Sequence, residues 1–394
     1  MKNYLLKIVV TFLLASCICC TNANAQGIEF FTGTFTEAIA EAEKTNKHVF
    51  VDAYTTWCGP CINMAKNVFT QESVGFFYNQ QFVNVKLDME KGEGIAFAQK
   101  YGVNRFPSYL YFDGKGELIH RSMGSKKAQP FIADGSNAIN DETSLAGMQA
   151  RFNEGECTNE FLKNYAYTLM YAGENGQIIA DQYINTIKEE EITTDENLKF
   201  ITTFADDINS SAFKHLIKNK DAAIKVLGAQ RIEATIERAA YSAIIEPAKN
   251  KDKAALRQVQ NDLIDMDKVN GSKLATAVGI EFFKATGNYS EYAKEVSEYL
   301  GKYEVKEPST LNNYAWSFYE NIDNKKLLKQ AVGWTEQSIA MEDKYYNNDT
   351  LAALYAKLGK KSLAIATAKK AITLAESEGM VATETIKMLE DLQK

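Results

Sequence analysis

The chain has 394 residues, enough for two or three domains with substantial cores. Hydrophobic residues make up 45% and charged residues 24%, an ordinary globular composition. A formal net charge of -7 argues against the basic footprint that nucleic-acid binding requires, so no nucleic-acid partner is expected.

The N-terminus has the grammar of an export signal. Lys2 and Lys7 form a basic start, residues 8–18 are nearly all apolar, and Ala23-Asn24-Ala25 supplies a small-residue cleavage pattern before Gln26. The apolar run is too short for a membrane span. Residues 1–25 are therefore expected to be a signal peptide, and the mature protein to be exported, in a bacterium to the periplasm. Leu14-Ala15-Ser16-Cys17 offers a second processing site, with Cys17 as a lipid-anchored residue. Three of the six cysteines (Cys17, Cys19, Cys20) lie in or beside this leader. Removal of residues 1–25 leaves Cys58, Cys61 and Cys157, too few for a disulfide-stapled fold but sufficient for one redox couple.

Residues 26–140 alternate between strand and helix patterns, which predicts an α/β domain with a mixed sheet flanked by helices. In chain order we expect a short strand at 28–31, a helix at 35–44 with Phe35, Ala38, Ile39 and Ala42 on one face, and a buried strand at 48–54. A helix begins after Pro60, a strand covers 82–87, and a helix covers 94–101. Strands at 108–112 and 117–122 are joined through Asp113-Gly114-Lys115-Gly116 as a hairpin, and a helix closes the region at 129–139.

Residues 141–394 change grammar. Only Pro247 and Pro308 remain, β-branched runs disappear, and helical periodicity dominates. Between 309 and 378, the positions of Leu351, Ala352, Tyr355, Gly359, Ala364, Ala368 and Ala371 follow the spacing of a tetratricopeptide repeat. The stretch from Tyr314 to Ile339 is a weaker copy, and residues 161–187, with Gly173 at a turn, form a degenerate one. An all-α repeat domain able to hold a protein partner is expected.

The chemistry concentrates in Trp57-Cys58-Gly59-Pro60-Cys61. Two cysteines two residues apart at a strand-to-helix junction suit reversible thiol–disulfide exchange, because the helix N-terminus stabilises a thiolate. Zinc is not expected. Beyond the leader there is no second close cysteine pair, and His48, His120 and His215 are widely spaced. Asp52 stands in an otherwise apolar strand, where a carboxylate is costly unless neutral or paired. Cys157 reads as an incidental thiol, the glycines around Glu93 as a helix-entry loop, and residues 188–191 as a solvated helix end.

The run from Val51 through Cys61, together with Phe106-Pro107 before the strand at 108–112, resembles the thioredoxin superfamily over residues 34–140. The stretch from Val68 to Asp88 is similar to its exported branch, which includes the C-terminal domain of DsbD. The resemblance implies a thioredoxin fold and assigns roles. Cys58 becomes the attacking thiol, exposed at the helix start with a pKa lowered to about 7 or below. Cys61 becomes the more buried resolving thiol of a Cys58–Cys61 disulfide. Gly59 and Pro60 set the turn between them, and Trp57 covers one side. Asp52 moves the proton of the resolving thiol with Lys86 as its partner. Pro107 is cis, and Phe106 faces an extended substrate segment. Tyr54, where many members carry Trp, and Phe106, bulkier than the usual residue, depart from the pattern beside the substrate groove.

The expected function is an exported thiol–disulfide oxidoreductase that reduces protein disulfides. No flavin or nicotinamide motif is present, so no cofactor is expected, and electrons come from another dithiol protein, of DsbD type by resemblance. A disulfide isomerase or oxidase on the same fold, and an interaction scaffold led by the helical repeats, are the alternatives.

Overall fold

The computed structural model describes residues 27–394. The leader and Cys17 lie outside the described residues. Two compact units divide the chain, ending at Ile187 and beginning at Lys188.

Helix α1 (Phe35–Thr45) starts where its sequence directs. Thr34 accepts from the Glu37 amide while the Glu37 carboxylate accepts from the Thr34 amide, and Asn46 ends the helix in the left-handed region. Its apolar face buries Ala38 and Ala42. Strand β1 (His48–Tyr54) follows, then α2 (Gly59–Asn67), α3 (Glu72–Gln81), β2 (Phe82–Asp88), α4 (Glu93–Tyr101), β3 (Ser108–Phe112), β4 (Leu118–Met123) and α5 (Ala128–Ala138). The sheet order is β2-β1-β3-β4. β1 runs parallel to β2 and antiparallel to β3, and β3 and β4 form the hairpin. This is the mixed, helix-flanked sheet of the thioredoxin fold. The Asp113 carboxylate closes the hairpin turn by accepting from the Lys115 and Glu117 amides.

Two departures from expectation have physical causes. The segment 28–31 is not a strand: it makes one bridge, Phe30 to Asn84, and the Asn84 side-chain amide donates to the Glu29 carbonyl. Helix α3 carries no clean apolar stripe, because it buries Gly75 and Tyr78 beside Val74, so periodicity did not announce it.

The central strand β1 is buried on both faces, as parallel-sheet strands usually are. Val49, Val51 and Ala53 meet Val85, Leu110, Phe112 and Phe97 on one side. On the other, Phe50 lies among Tyr78, Tyr109, Tyr111 and Phe131, with ring centres 4.9–6.1 Å away. Removing such a ring typically costs about 3–5 kcal/mol.

The first unit continues through α6 (Leu145–Asn153), α7 (Asn159–Ala172) and α8 (Gln177–Thr186). Both α6 and α7 lie against β4. The Leu145 amide at the start of α6 donates to His120 Nδ1 on β4 at 3.0 Å. A β-carbon on Gly173, the left-handed cap of α7, would fall 2.0 Å from Met123 Cε.

The second unit is helical throughout. Within it, α9 (Pro308–Asn321) packs on α10 (Lys325–Met341), and α11 (Tyr345–Lys357) packs on α12 (Lys361–Ser377). Ala364, Ala368, Ala371 and Ala375 of α12 are fully buried, and their small side chains allow close helix pairing. The last helix, α13 (Thr383–Gln393), packs on α12. No described helix is long and apolar enough to cross a membrane.

Candidate active site

The site is built where β1 ends and α2 begins. Cys58 is the N-cap of α2, with Gly59 and Pro60 as its first turn, and the Cys61 amide donates to Cys58 Sγ at 3.1 Å. Pro60 loses nothing there, because first-turn amides lack helical acceptors. The two cysteines form a disulfide with Cα atoms 5.3 Å apart. The expected difference in access between them is absent in this oxidised form: Cys58 is 4% exposed and Cys61 5%. Gly59 has ordinary helical geometry, and a β-carbon there would meet nothing within 4 Å, so this position makes no steric demand for glycine.

Strand register sets a polar row across the sheet on the same face as α2. Lys86 on β2 lies opposite Asp52 on β1, which lies opposite Tyr109 on β3, which lies opposite Ser122 on β4. Asp52 is 2% exposed, and its Oδ2 is 3.6 Å from Lys86 Nζ. Burial raises its pKa to about 6 against the opposing pull of the Lys86 cation. Asp52 Oδ1, Tyr109 Oη and Thr55 Oγ1 are buried without a protein hydrogen-bond partner. A buried carboxyl with a pKa of about 6, on the sheet face that α2 covers, has the properties of a proton acceptor and donor for thiol chemistry.

The groove side carries the other expected residues. The Phe106–Pro107 peptide is cis, and the Pro107 carbonyl accepts from the Gly124 amide at 2.9 Å. Trp57 is 67% exposed, meets Phe106 edge-on at 6.1 Å, and donates through Nε1 to the Glu90 carboxylate at 3.0 Å. The structure thus brings Cys58, Gly59, Pro60 and Cys61 together at one helix start, pairs Asp52 with Lys86, and sets Trp57 against Phe106 beside Pro107.

Sequence reasoning missed Glu90 and a buried network beyond Tyr109. Asp134 on α5 accepts from Tyr111 Oη at 2.9 Å and from Ser122 Oγ, and its carboxylate lies 3.6 Å from Lys126 Nζ and 3.7 Å from His120 Nε2. Tyr78 Oη adjoins Tyr111 Oη at 2.9 Å and donates to the Phe131 carbonyl. Burial would raise the Asp134 pKa, but His120, Lys126 and Ser122 outweigh it and hold the carboxylate below its usual range. Lys126 also sits 4.8 Å from the Tyr109 ring centre. The available signal was Asp134 as the one charged residue of the closing helix, but its partners lie 8–23 residues away, and only the fold gathers them. Cys157 is exposed and free.

A family model described as thioredoxin-like matches residues 31–114. The chain is 37% identical over 98 residues to thioredoxin-like protein slr0233 of Synechocystis sp., covering 25% of this chain and 85% of that protein. It is 32% identical over 106 residues to chloroplastic thioredoxin Y of Oryza sativa, covering 27% of this chain and 60% of that one. It is 29% identical over 108 residues to the thiol:disulfide interchange protein DsbD of Pseudoalteromonas atlantica, covering 27% of this chain but 18% of that protein. Among solved structures, a candidate disulphide-isomerase of Bacteroides thetaiotaomicron is 41% identical, with 30% of this chain and 98% of that one covered and a TM-score of 0.28. The cysteine pair at a helix start and the matched segment lead to one assignment: through its N-terminal domain, the chain belongs to the thioredoxin-like family.

Proposed function

We propose that this thiol–disulfide oxidoreductase is an exported reductant of protein disulfides. The observation that carries the reading is the Cys58–Cys61 pair at the N-terminus of α2, with Cys58 Sγ accepting the Cys61 amide. That environment favours a thiolate at Cys58 in the reduced enzyme. The Cys58 thiolate attacks one sulfur of a substrate disulfide, forming a mixed disulfide and releasing the other sulfur as a thiolate. Asp52 accepts the Cys61 proton, the Cys61 thiolate attacks Cys58 Sγ, and the second substrate sulfur leaves as a thiolate. Two electrons have then passed from the enzyme dithiol to the substrate, whose thiolates take up protons. Gly59-Pro60 between the cysteines and the likeness to DsbD support a reducing rather than an oxidising couple.

Regeneration requires another dithiol protein, and a DsbD-type membrane donor fits the basic, apolar leader at residues 1–25. In this reading the paired helices at 309–378 act as tetratricopeptide-like repeats that hold a protein partner. A pocket on them is lined by Trp316, Tyr319 and Ala353, with Met388 of the last helix at its side.

The test is the reduction potential of residues 26–394 in graded thiol buffers, with protein-disulfide reduction by Cys58→Ser and Cys61→Ser variants. A reductant gives a potential near about -270 mV, no turnover by Cys58→Ser, and a trapped mixed disulfide with Cys61→Ser. A potential nearer about -120 mV establishes an oxidase or isomerase instead. Absence of a reversible couple in folded protein leaves the helical repeats as the main functional element.

A further inference from the structure

Lys86 is enclosed rather than merely paired. Its Nζ lies 3.6 Å from Asp52 Oδ2, 4.7 Å from the ring centre of Tyr54, 5.5 Å from that of Phe30 and 5.9 Å from that of Phe69. The side chain is 28% exposed. Three separate stretches supply the rings: the bridge segment at 28–31, the end of β1, and the loop after α2.

The stretches are tied to one another. The Ile28 amide donates to the Phe69 carbonyl at 2.7 Å, the Phe31 amide donates to the Asn84 carbonyl at 2.7 Å, and the Phe30 and Phe69 rings meet edge-on at 5.9 Å. A β-carbon on Gly27 would fall 2.3 Å from the Phe69 carbonyl oxygen, so this approach is close.

A lysine ammonium on a flexible four-carbon stem prefers water to a single buried carboxylate. Ring faces attract it electrostatically, and more strongly where solvent is partly excluded. We propose that Tyr54, Phe30 and Phe69 are positioning residues that hold the Lys86 ammonium on Asp52, so that this aromatic enclosure sets the pH at which Asp52 accepts the Cys61 proton. Its catalytic consequence rests on the reductant reading, while its electrostatic content does not.

The groups around Asp52 leave little else to titrate with it. Tyr54 on β1 and Tyr109 on β3 are both pushed up by burial and stay neutral. Beyond Tyr54 lie Asp88 and Lys91, paired with each other at 2.9 Å, and beyond Tyr109 lie Lys126 and Asp134, paired at 3.6 Å. The two cysteines at the start of α2 do not titrate while joined.

The experiment is a carboxyl NMR titration of Asp52 in the oxidised full chain, in wild type, Tyr54→Leu, Tyr54→Phe, Lys86→Met and the Tyr54→Leu/Lys86→Met double variant. Tyr54→Leu is expected to raise the Asp52 midpoint by at least about half a pH unit, roughly threefold in proton affinity. Tyr54→Phe keeps the ring and the wild-type midpoint. Lys86→Met raises it further, and adding Tyr54→Leu then changes nothing. An unmoved midpoint in Tyr54→Leu, or an equal shift with Lys86 already removed, overturns the proposal. If Tyr54→Leu does not fold, Phe30→Leu runs the same cycle. A wild-type enzyme that reduces no protein disulfide would sink the reductant reading, yet the titration would still decide the enclosure. If both hold, the pH profile of protein-disulfide reduction moves with the Asp52 midpoint.

Discussion

Asp52 carries its charge against the preference of its surroundings. Its folded pKa of about 6 lies above the value of an unfolded aspartate, so the native state binds the proton more tightly. The sign follows: any advantage of the protonated carboxyl is complete below pH 4 and lost as the pH rises through 6. Oxidised Asp52→Asn should therefore exceed wild type by about 2–3 kcal/mol at pH 8 in denaturant unfolding, and match it near pH 3.5. Parallel stabilities across that range would mean that Asp52 is not destabilised by burial. Asp134 has the opposite sign, since its partners hold its pKa down. Its stabilising share is present above the ordinary aspartate range and is lost as the pH falls below it, so Asp134→Asn should destabilise at pH 7 and lose that effect in acid. Asp52 was legible in the sequence because a lone carboxylate in an apolar strand demands a reason. Glu90 was not, because it looks like any surface acid until Trp57, 33 residues earlier, is found donating to it.

Elements were legible where one local rule decided them. The shared face of Phe35, Ala38, Ile39 and Ala42 marks α1, and Pro60 the start of α2. Helix α3 escaped because its buried side mixes a glycine and a tyrosine, and the segment 28–31 misled because a short, mostly apolar run does not guarantee a ladder. Glycines divide in the same way. A β-carbon on Gly94, in the first turn of α4, would lie 2.0 Å from the Asp88 carbonyl oxygen at the end of β2, where backbone must move. Gly94→Ala should cost at least about 2 kcal/mol of unfolding free energy, whereas Gly59→Ala should stay within about 0.5 kcal/mol. Thermal melts of the two oxidised variants check this. Equal losses would show that the first turn of α4 relaxes freely.

The whole chain joins a short catalytic fold to a longer helical one, and the sequence conveyed that change of grammar after residue 140. It did not convey that α6–α8 belong to the first compact unit, because the Leu145 amide on His120 and the Gly173 contact on Met123 are long-range events. Residues 27–187 should fold with a reversible Cys58–Cys61 couple. Residues 27–140, stripped of α6 and α7, should melt at least several degrees lower, corresponding to roughly 1–2 kcal/mol, and associate on standing. Scanning calorimetry and light scattering distinguish the two, and equal melting of both pieces would make α6–α8 dispensable. The position of those helices also bears on the company such an enzyme keeps. An open sheet margin is a template on which an exposed strand of a partner or of a second copy can add. Here β4 is shielded by α6 and α7, while β2 meets the 28–31 segment. Both outer strands are thus hindered from adding a further strand, so copies of this chain should stay separate at concentrations where a bare sheet would pair edge to edge.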